Sequence, residues 1–314
     1  MKYLIIIVLM FVLELVYFRI ADRLNIIDRP NERSSHSVVT LRGGGIIFYI
    51  GAMLYFVFHG FAYPWFIAGL SLISIVSFVD DVHSLTPKLR LTLQFTSMLL
   101  MFGQWNLYAV DTWWMILVAL FVCTGIINVF NFMDGINGIT GGYSLVILAA
   151  LAYVDLFVVK DFVDINMIYV SMIAVLVFCF FNFRKKARCF AGDVGSVSIA
   201  FIILFVWGKL VLVTRDLSWL TFMVVYGVDG VLTIFHRLML HENISQPHRK
   251  HAFQLMANEL KIPHVVVSLI YMAMQGCMCV WYIAMPGYTT LLLSIAVLSV
   301  VYVLFMKKYF CLHK

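Results

Sequence analysis

The chain has 314 residues, of which 63% are hydrophobic and only 12% are charged. Soluble domains are typically about 45–50% apolar and about 25% charged, so this composition excludes soluble, disordered and collagen-like proteins. The formal net charge is +6, and basic membrane loops explain it without a nucleic-acid partner. We therefore expect an all-α integral membrane bundle whose residues 1–314 form a single domain.

Eleven apolar stretches are candidates for membrane-spanning helices, since a spanning helix needs about 20 mostly apolar residues. In chain order they are 2–21, 45–61, 63–80, 90–104, 112–131, 139–159, 165–183, 194–213, 217–236, 264–284 and 287–306. The alternative for the first stretch is a signal peptide, but no small-residue cleavage site follows it, which favours a retained span. The fourth is short, so we expect it to be tilted or to continue into its loops.

The basic residues predict the orientation of the bundle. Eighteen of the 22 Lys and Arg residues fall in alternate loops on one side, and the positive-inside rule makes that side cytoplasmic. The N-terminus is then outside and the C-terminus is in the cytoplasm. The loops expected to carry the chemistry are the cytoplasmic ones, at about 22–44, 80–90, 132–141, 183–194 and 237–263.

Acidic residues stand at the predicted cytoplasmic ends of helices, where charges are costly and point to function. Asp80 and Asp81 end the third span. Adjacent carboxylates repel each other and the helix dipole disfavours both, a cost that a bound divalent cation would relieve. Asp193 precedes the eighth span and could hold Mg²⁺ beside substrate phosphates. The alternatives are a solvated helix end for the pair and a helix N-cap for Asp193.

A polar stripe ends the fifth predicted span. Asn128, Asn131 and Asp134 are spaced three residues apart, so they share one helical face. Gly135 and Gly138 follow and allow a ligand to approach the backbone closely. A face that only contacted lipid would not carry two amides and an acid. The stripe therefore favours a binding site over its alternative, a glycine-rich turn with helix-capping amides.

Basic residues and histidines form two further candidate groups. The last long loop carries His248, Arg249 and His251. The first long loop carries Arg33, His36 and Arg42. Either group could bind phosphate. The alternative for the last loop is a basic loop lying near anionic lipid, and the alternative for the first loop is that its residues simply supply the positive charge of the cytoplasmic side. Asp229 lies alone within the ninth span, where a structural polar contact and a direct functional role are both open.

Together these features predict a metal–phosphate site at the cytoplasmic membrane boundary. Acids suit Mg²⁺, basic residues and glycines suit phosphates, and the apolar bundle suits a substrate with a long hydrocarbon chain. The chain has no Walker-A, GxSxG or HExxH motif, which argues against P-loop nucleotide hydrolysis and the common hydrolase mechanisms.

The motifs occur in the order found in the polyprenyl-phosphate N-acetylhexosamine-1-phosphate transferase family, also called glycosyltransferase family 4. The chain resembles this family over about residues 20–255. The residues that carry the resemblance are Arg29–His36 with Arg42–Gly45, the pair Asp80–Asp81, Asn128–Gly138 and Phe190–Ser196. The segment from Val228 to Arg237, followed by His248–Gln254, looks most like the branch that initiates O-antigen and other surface glycans.

The resemblance implies an enzyme of the bacterial inner membrane with its active site facing the cytoplasm. The implied reaction moves an N-acetylhexosamine 1-phosphate from a UDP-sugar to undecaprenyl phosphate, releasing UMP and initiating a surface glycan. Mg²⁺ is the expected cofactor, with Mn²⁺ as an alternative, and membrane lipid surrounds the protein. Whether the protein is a homodimer is left open.

The resemblance also assigns roles to residues. The expected catalytic acids are Asp80, Asp81, Asp134 and Asp193, with Asp193 and Asp81 as metal ligands. The expected substrate-binding residues are Arg33, His36, Arg42, Asn128, Asn131, Asn137, Asp229, Arg237, His248, Arg249 and His251. For Asp80 we favour positioning over proton removal or covalent attack, because a phosphate monoester has a second pKa near about 6 and hardly needs a strong base.

Two departures from the family pattern bear on the substrate. Asn137 stands where the family commonly has Asp, and Arg184, Lys185 and Lys186 follow Asn182 where a Pro-Ala pair is usual.

Three other interpretations of the sequence compete with a sugar-1-phosphate transferase of the surface-glycan branch. They are the phospho-N-acetylmuramoyl-pentapeptide transferase branch, whose three consecutive histidines are absent, a membrane transporter or lipid flippase, and an inactive scaffold.

Overall fold

The computed structural model describes residues 2–30, 38–109, 113–243 and 249–309. In these ranges the chain is a bundle of long α-helices, which confirms the expected all-α membrane fold. The helices of the first half are α1 (Lys2–Arg23), α2 (Ile46–Phe58), α3 (Pro64–Val82), α4 (Pro87–Gln104), α5 (Trp113–Met133) and α6 (Ile139–Phe157). Those of the second half are α7 (Ile165–Asn182), α8 (Gly192–Thr214), α9 (Val224–Met239), α10 (Ala252–Gln254), α11 (His264–Ala284) and α12 (Tyr288–Tyr309).

Shorter elements connect the long helices. They are the two-residue strands β1 (Ile27–Asp28) and β2 (Thr40–Leu41), the 3₁₀ turns Leu107–Ala109 and Leu217–Met223, and the π-helical turn Leu255–Glu259. Within the described ranges, nine helical segments are long and apolar enough to cross a membrane. The helix α2 has only 13 residues and α4 is not among the nine. The count of eleven spans therefore stays a prediction.

The fourth predicted span, 90–104, continues into the preceding loop as expected, because α4 begins at Pro87. Thr86 caps α4 by accepting a hydrogen bond from the Leu89 backbone N–H, and Pro87 occupies the first helical position. Proline suits that position because its missing N–H would have no helical partner there. The earlier start places Arg90 inside the first turn of α4.

The ninth predicted span is not one continuous α-helix. Residues Leu217–Met223 are a 3₁₀ helix, and α9 begins only at Val224. Gln275 of α11 takes up backbone groups at the break: its side-chain amide donates to the Thr221 carbonyl (3.0 Å) and its carbonyl accepts from the Val225 N–H (3.2 Å). Backbone groups inside a membrane must be satisfied within the protein, and this side chain helps to make the break tolerable.

The helix α8 forms the centre of the bundle. Every residue from Ser198 to Gly208 is buried, as expected for a helix that is apolar on all sides. It packs against α2, α3, α5 and α6. The ends of these helices consequently meet around the N-terminus of α8.

A short extended segment leads to the same place. Strand β1 pairs antiparallel with β2, and β2 continues alongside the residues that precede α8. The Phe190 N–H donates to the Leu41 carbonyl (2.8 Å), and the Gly44 N–H donates to the Phe190 carbonyl (2.9 Å). Gly45 lies so close to Gly195 that a Cβ on Gly45 would stand 2.2 Å from the Gly195 Cα. The segment from Leu41 to Gly45 is thereby fixed against the start of α8.

We predict that Gln275→Leu destabilises the protein, because it leaves buried backbone groups at the helix break without partners. Each such group costs about 1–3 kcal/mol, so the thermal unfolding midpoint in detergent should fall by several degrees. Val280→Leu, at a position of the same helix that is 68% exposed, is the matched control and should leave the midpoint unchanged. An unchanged midpoint for Gln275→Leu would contradict this account of the break.

Candidate functional site

Asp81 is the buried centre of a charged cluster. Its side chain has no solvent exposure, and its two oxygens accept hydrogen bonds from the backbone N–H groups of Asp193 (2.9 Å) and Val194 (3.0 Å). Asp81 thus caps the N-terminus of α8 from the end of α3. The positive end of the α8 dipole offsets the unfavourable position of Asp81 at the C-terminus of its own helix.

The same contacts correct the alternative role considered for Asp193. The helix α8 begins at Gly192, so Asp193 lies in its first turn and is not the N-cap. The backbone of Gly192 has a positive φ of 71°, and a Cβ there would stand 2.5 Å from an Asp81 oxygen. Glycine is therefore required where Asp81 approaches the helix.

Arg42 joins Asp81 to Asp193. Its Nε lies 2.7 Å from Asp81 Oδ1, and its Nη2 lies 3.5 Å from Asp193 Oδ1. The extended segment beside α8 brings Arg42 to this position. Of the two roles considered for Arg42, inside charge and site residue, the structure places it among the site acids.

Asp80 and Arg90 form the outer part of the cluster. Asp80 Oδ1 accepts from the Leu85 N–H (2.6 Å), and Asp80 Oδ2 lies 2.8 Å from Arg90 Nη1. The same Arg90 nitrogen is 3.7 Å from Asp193 Oδ2. Two arginines therefore lie among these three carboxylates and offset part of their negative charge.

The polar stripe of α5 reaches the same carboxylates through its middle residue. The Asn131 side-chain amide donates to Asp193 Oδ1 (3.1 Å) and to Ser196 Oγ (3.0 Å). Asn128, one turn earlier, is half-buried and makes no side-chain hydrogen bond within the described part of the chain. Its amide is therefore available to a ligand.

Asp134 closes the stripe just after α5. It accepts a hydrogen bond from Thr140 Oγ1 (2.6 Å). Burial raises the pKa of Asp134 to about 7, the Thr140 hydrogen bond opposes that rise, and the nearby carboxylates of Asp193 and Asp81 add to it. The electrostatic influence of those two acids places Asp134 beside the charged cluster.

The two departures from the family pattern meet in space. The Asn137 side-chain amide donates to the carbonyl oxygens of Arg184 (3.0 Å) and Lys185 (3.4 Å). An Asp at position 137 could not donate to them. The amide and the altered loop therefore belong together structurally, while the predicted contact of Asn137 with a nucleotide stays a prediction.

Asp229 has one partner on its own helix and others from two other parts of the chain. Its Oδ1 accepts from Thr233 Oγ1 (3.2 Å) and from the Ala252 N–H (3.3 Å), and lies 3.2 Å from His251 Nδ1. Its Oδ2 accepts from the Tyr271 hydroxyl. These bonds connect α9, α10 and α11, so the structural alternative for Asp229 has direct support.

The remaining predicted residues have different surroundings. Arg237 is buried and pairs with Glu242 (3.2 Å), and Lys250 binds the same carboxylate. His251 is buried against Asp229, and Arg249 is half-buried. Three predicted residues, Arg33, His36 and His248, lie outside the described residues.

The donor groups at the cluster suit a divalent cation at Asp193 better than at Asp81. Both oxygens of Asp81 are already held by N–H groups and Arg42. The Asp193 carboxylate is 25% exposed and lies 3.5 Å or more from the arginines. Among the described residues, no group of three or more His, Cys, Asp or Glu is arranged to hold a metal ion. Mg²⁺ commonly uses one or two carboxylates with substrate phosphates, so this donor set fits.

Comparison with known proteins bears on the same stretch of chain. The model of glycosyl transferase family 4 matches residues 63–210, which include Asp80, Asp81, Asn131, Asp134 and Asp193. This stretch is just under half of the chain, and its similarity to glycosyl transferase family 4 agrees with the resemblance that the sequence motifs carry.

Curated relatives of the chain carry names of one kind. Undecaprenyl-phosphate alpha-N-acetylglucosaminyl 1-phosphate transferase of Escherichia coli K12 is 27% identical over 266 residues, covering 76% of this chain and 70% of the relative. The enzyme with the same name from Salmonella typhimurium is 26% identical over 269 residues, with coverage of 76% and 70%. A probable undecaprenyl-phosphate N-acetylglucosaminyl 1-phosphate transferase of Bacillus subtilis is 24% identical over 261 residues, with coverage of 74% and 70%.

The structure also shows contacts to the site that the sequence motifs did not indicate. Arg90 counted only toward membrane orientation, yet it contacts two acids of the cluster. Thr140 and Ser196 bond to site residues as well. A basic residue at the start of the helix that follows an Asp-Asp pair is a signal that could have indicated Arg90.

We predict that Asp81→Asn lowers the stability of the protein. Asn has one acceptor oxygen where α8 and Arg42 use two, so buried N–H groups lose partners at about 1–3 kcal/mol. Thermal unfolding should show a lower midpoint for Asp81→Asn and no change for Asp22→Asn, an exposed position of α1. Equal midpoints for both variants would refute the capping role.

Proposed function

We propose that this protein transfers N-acetylhexosamine 1-phosphate from a UDP-sugar to undecaprenyl phosphate and so initiates a surface glycan. The observation that carries the proposal is the convergence of Asp80, Asp81, Asn131 and Asp193 at the N-terminus of α8. All four lie within the stretch matched by the family model, and the names of the curated relatives describe this type of transfer.

In the proposed reaction, a phosphate oxygen of the acceptor attacks the β-phosphorus of the donor. The bond between that phosphorus and the oxygen bridging to the α-phosphate breaks, and UMP leaves with both electrons of the bond. The product is a polyprenyl-diphosphate sugar. Positioning and electrostatic stabilisation dominate such phosphoryl transfers, which suits a site built from fixed ion pairs.

The residues of the cluster have separate parts in this proposal. Arg42 and Asp81 form the rigid part of the site, because the Asp81 carboxylate is fully buried and bound to α8. Arg90 is 46% exposed, so its guanidinium can reach substrate oxygens. Asp80 positions Arg90 through their 2.8 Å contact, which agrees with a positioning role rather than covalent attack.

We further propose Asp193 as the ligand of a divalent cation, with Mg²⁺ expected and Mn²⁺ as the alternative. Such a cation would neutralise the charge on the phosphate oxygens of the substrates. Asn131 orients the Asp193 carboxylate through its 3.1 Å hydrogen bond. Asp134, with its raised pKa, and Asn128, whose amide makes no hydrogen bond to another described residue, are proposed to contact the nucleotide.

The proposed location is the bacterial inner membrane with the cluster facing the cytoplasm. The distribution of Lys and Arg supports this orientation through the positive-inside rule. The UDP-sugar then reaches the site from the cytoplasm, and the lipid acceptor from the bilayer.

Transport is a second candidate function, and the break before α9 is the observation that favours it. Transporters often have discontinuous helices near the bilayer midplane. Here, however, Gln275 and Tyr143 bond backbone groups at the break. The charged cluster lies elsewhere, at the start of α8. Substrate-dependent transport in vesicles without UMP release would select this second function.

The reaction is tested with purified protein, undecaprenyl phosphate, Mg²⁺ and a panel of donors comprising UDP-GlcNAc, UDP-GalNAc and UDP-deoxysugars. We expect UMP release that requires both the acceptor and one of the donors. No release with any donor, from protein with a cooperative thermal transition, would overturn the proposed function.

We predict that Asp193→Asn lowers the rate of UMP release by at least about 100-fold, the usual scale for losing one transition-state-stabilising group. The variant should also lose any increase in thermal midpoint that Mg²⁺ gives the unsubstituted protein. Asp161→Asn is the matched control at an exposed loop position and should behave like the unsubstituted protein. Full activity of Asp193→Asn would rule out the metal assignment.

We predict that Arg90→Gln lowers the rate about tenfold or more while the unfolding midpoint changes little. The charge of Arg90 supports Asp80 and Asp193, but its side chain is about half exposed, where an ion pair contributes little to folding. Arg90→Lys should retain part of the activity, because lysine keeps the charge without the fork of N–H donors. A midpoint that falls in parallel with the rate would instead indicate a structural role.

A further inference from the structure

The first helix contacts the segment that carries Arg42. The hydroxyl of Tyr17, a buried residue of α1, donates a hydrogen bond to the backbone carbonyl of Arg42 (2.6 Å). On the other side of the residue, the Arg42 N–H donates to the Ile26 carbonyl (3.1 Å). Both backbone groups of Arg42 are therefore held, one of them by a transmembrane side chain.

Gly43, the next residue, allows the backbone to lie close to the Tyr17 hydroxyl. Gly43 has a positive φ of 80°, and a Cβ on it would stand 2.4 Å from the Tyr17 hydroxyl oxygen. Only glycine combines that backbone conformation with that approach. The segment therefore has little freedom to move relative to α1 while the Tyr17 hydrogen bond is present.

A second residue of α1 supports the segment one turn away. Glu14 is fully buried, its Oε1 lies 3.8 Å from Cys189 Sγ, and a Cβ on Gly44 would stand 3.1 Å from that oxygen. Its Oε2 has no hydrogen-bond partner among the described residues. A buried acid in a membrane helix is costly and marks a function, and the proposed reaction uses Glu14 nowhere.

These contacts determine where the Arg42 side chain can lie. Its guanidinium is held firmly to Asp81 (2.7 Å) and more loosely to Asp193 (3.5 Å). Arg42 therefore competes with any cation for the Asp193 carboxylate. Both α1 and Arg42 precede residue 63, where the match to the family model begins.

We propose that Tyr17, with Glu14 beside it, is a positioning residue that holds Arg42 against Asp193 and so sets how strongly a divalent cation binds there. The inference rests on the proposed function for the identity of the cation site. Tyr17 acts through Arg42 and does not touch the substrate or the cation. Removing its hydroxyl frees the Arg42 carbonyl, one of the two held backbone groups, which weakens the hold of Arg42 on Asp193 and lessens its competition with the cation.

The test is a thermal-shift titration of Tyr17→Phe with Mg²⁺ and Mn²⁺ in the absence of substrates. We expect the cation concentration for half-maximal stabilisation to fall about fivefold, the change that corresponds to losing one ordinary hydrogen bond. The rate of UMP release should also fall, since Arg42 is no longer seated. A lower melting temperature with an unchanged half-maximal concentration would show a merely structural role and overturn the proposal.

Tyr55→Phe is the matched control. Tyr55 is likewise buried and loses a hydroxyl hydrogen bond, to Asp164 Oδ2 (2.8 Å), but it lies near the end of α2 away from Gly45. It should leave the half-maximal concentration unchanged. An equal shift in this variant would mean that the effect is not specific to Arg42, and the proposal would fail.

Two variants of Glu14 test the support from the second residue. Glu14→Gln keeps the acceptor oxygen that faces Cys189 and should retain the original half-maximal concentration. Glu14→Leu removes the acceptor at similar size and should shift it in the same direction as Tyr17→Phe. Equal values for both variants and the unsubstituted protein would remove Glu14 from the proposal.

The positioning role of Tyr17 and the proposed transfer reaction can be overturned independently of each other. If the unsubstituted protein releases UMP but the Tyr17→Phe titration shows no shift, only the positioning role is overturned. If it releases no UMP, the proposed reaction is overturned, while the titration still measures the effect of Tyr17 on cation binding. A protein whose melting responds to neither Mg²⁺ nor Mn²⁺ contradicts the positioning role and the metal assignment together.

Discussion

A carboxylate with no exposure to solvent connects the helices that form the site. Asp81 ends α3, caps α8 through two backbone N–H groups and binds Arg42. An unpaired charge at such a depth would be strongly unfavourable. The burial of Asp81 therefore requires that α8, α3 and the Arg42 segment stay together, and the more exposed groups around Asp193 depend on that arrangement.

The cluster also shows how the protein places four acids near one another without a large electrostatic cost. Arg42 and Arg90 are each shared between two carboxylates, and the N-terminus of α8 adds a positive dipole end. Asp134 lies slightly apart, where burial raises its pKa to about 7. The ion pairs leave the Asp193 carboxylate as the partly exposed acceptor.

A second network, around Asp229 and Gln275, organises the later helices. Asp229 joins α9 to α10 and α11, while Gln275 and Tyr143 satisfy backbone groups where the ninth span is interrupted. Both networks use side chains from distant parts of the sequence. In a membrane these polar groups have no water to bond with, so each must find its partner in the fold.

Much of the fold and part of the site followed from the sequence alone. Apolar stretches of spanning length predicted most helices, since a helix must be that long to cross the bilayer. The three-residue spacing that places Asn131 on a polar stripe, and the adjacent acids Asp80 and Asp81, indicated the site. The tertiary structure decided which residues contact each other across long stretches of sequence, which local patterns cannot show. It made Asp81 rather than Asp193 the group that caps α8, brought Arg90 to the cluster and gave Asp229 its partners. Those outcomes depend on contacts across as many as 113 residues, because a buried charge selects its partner by position in space and not by distance along the chain.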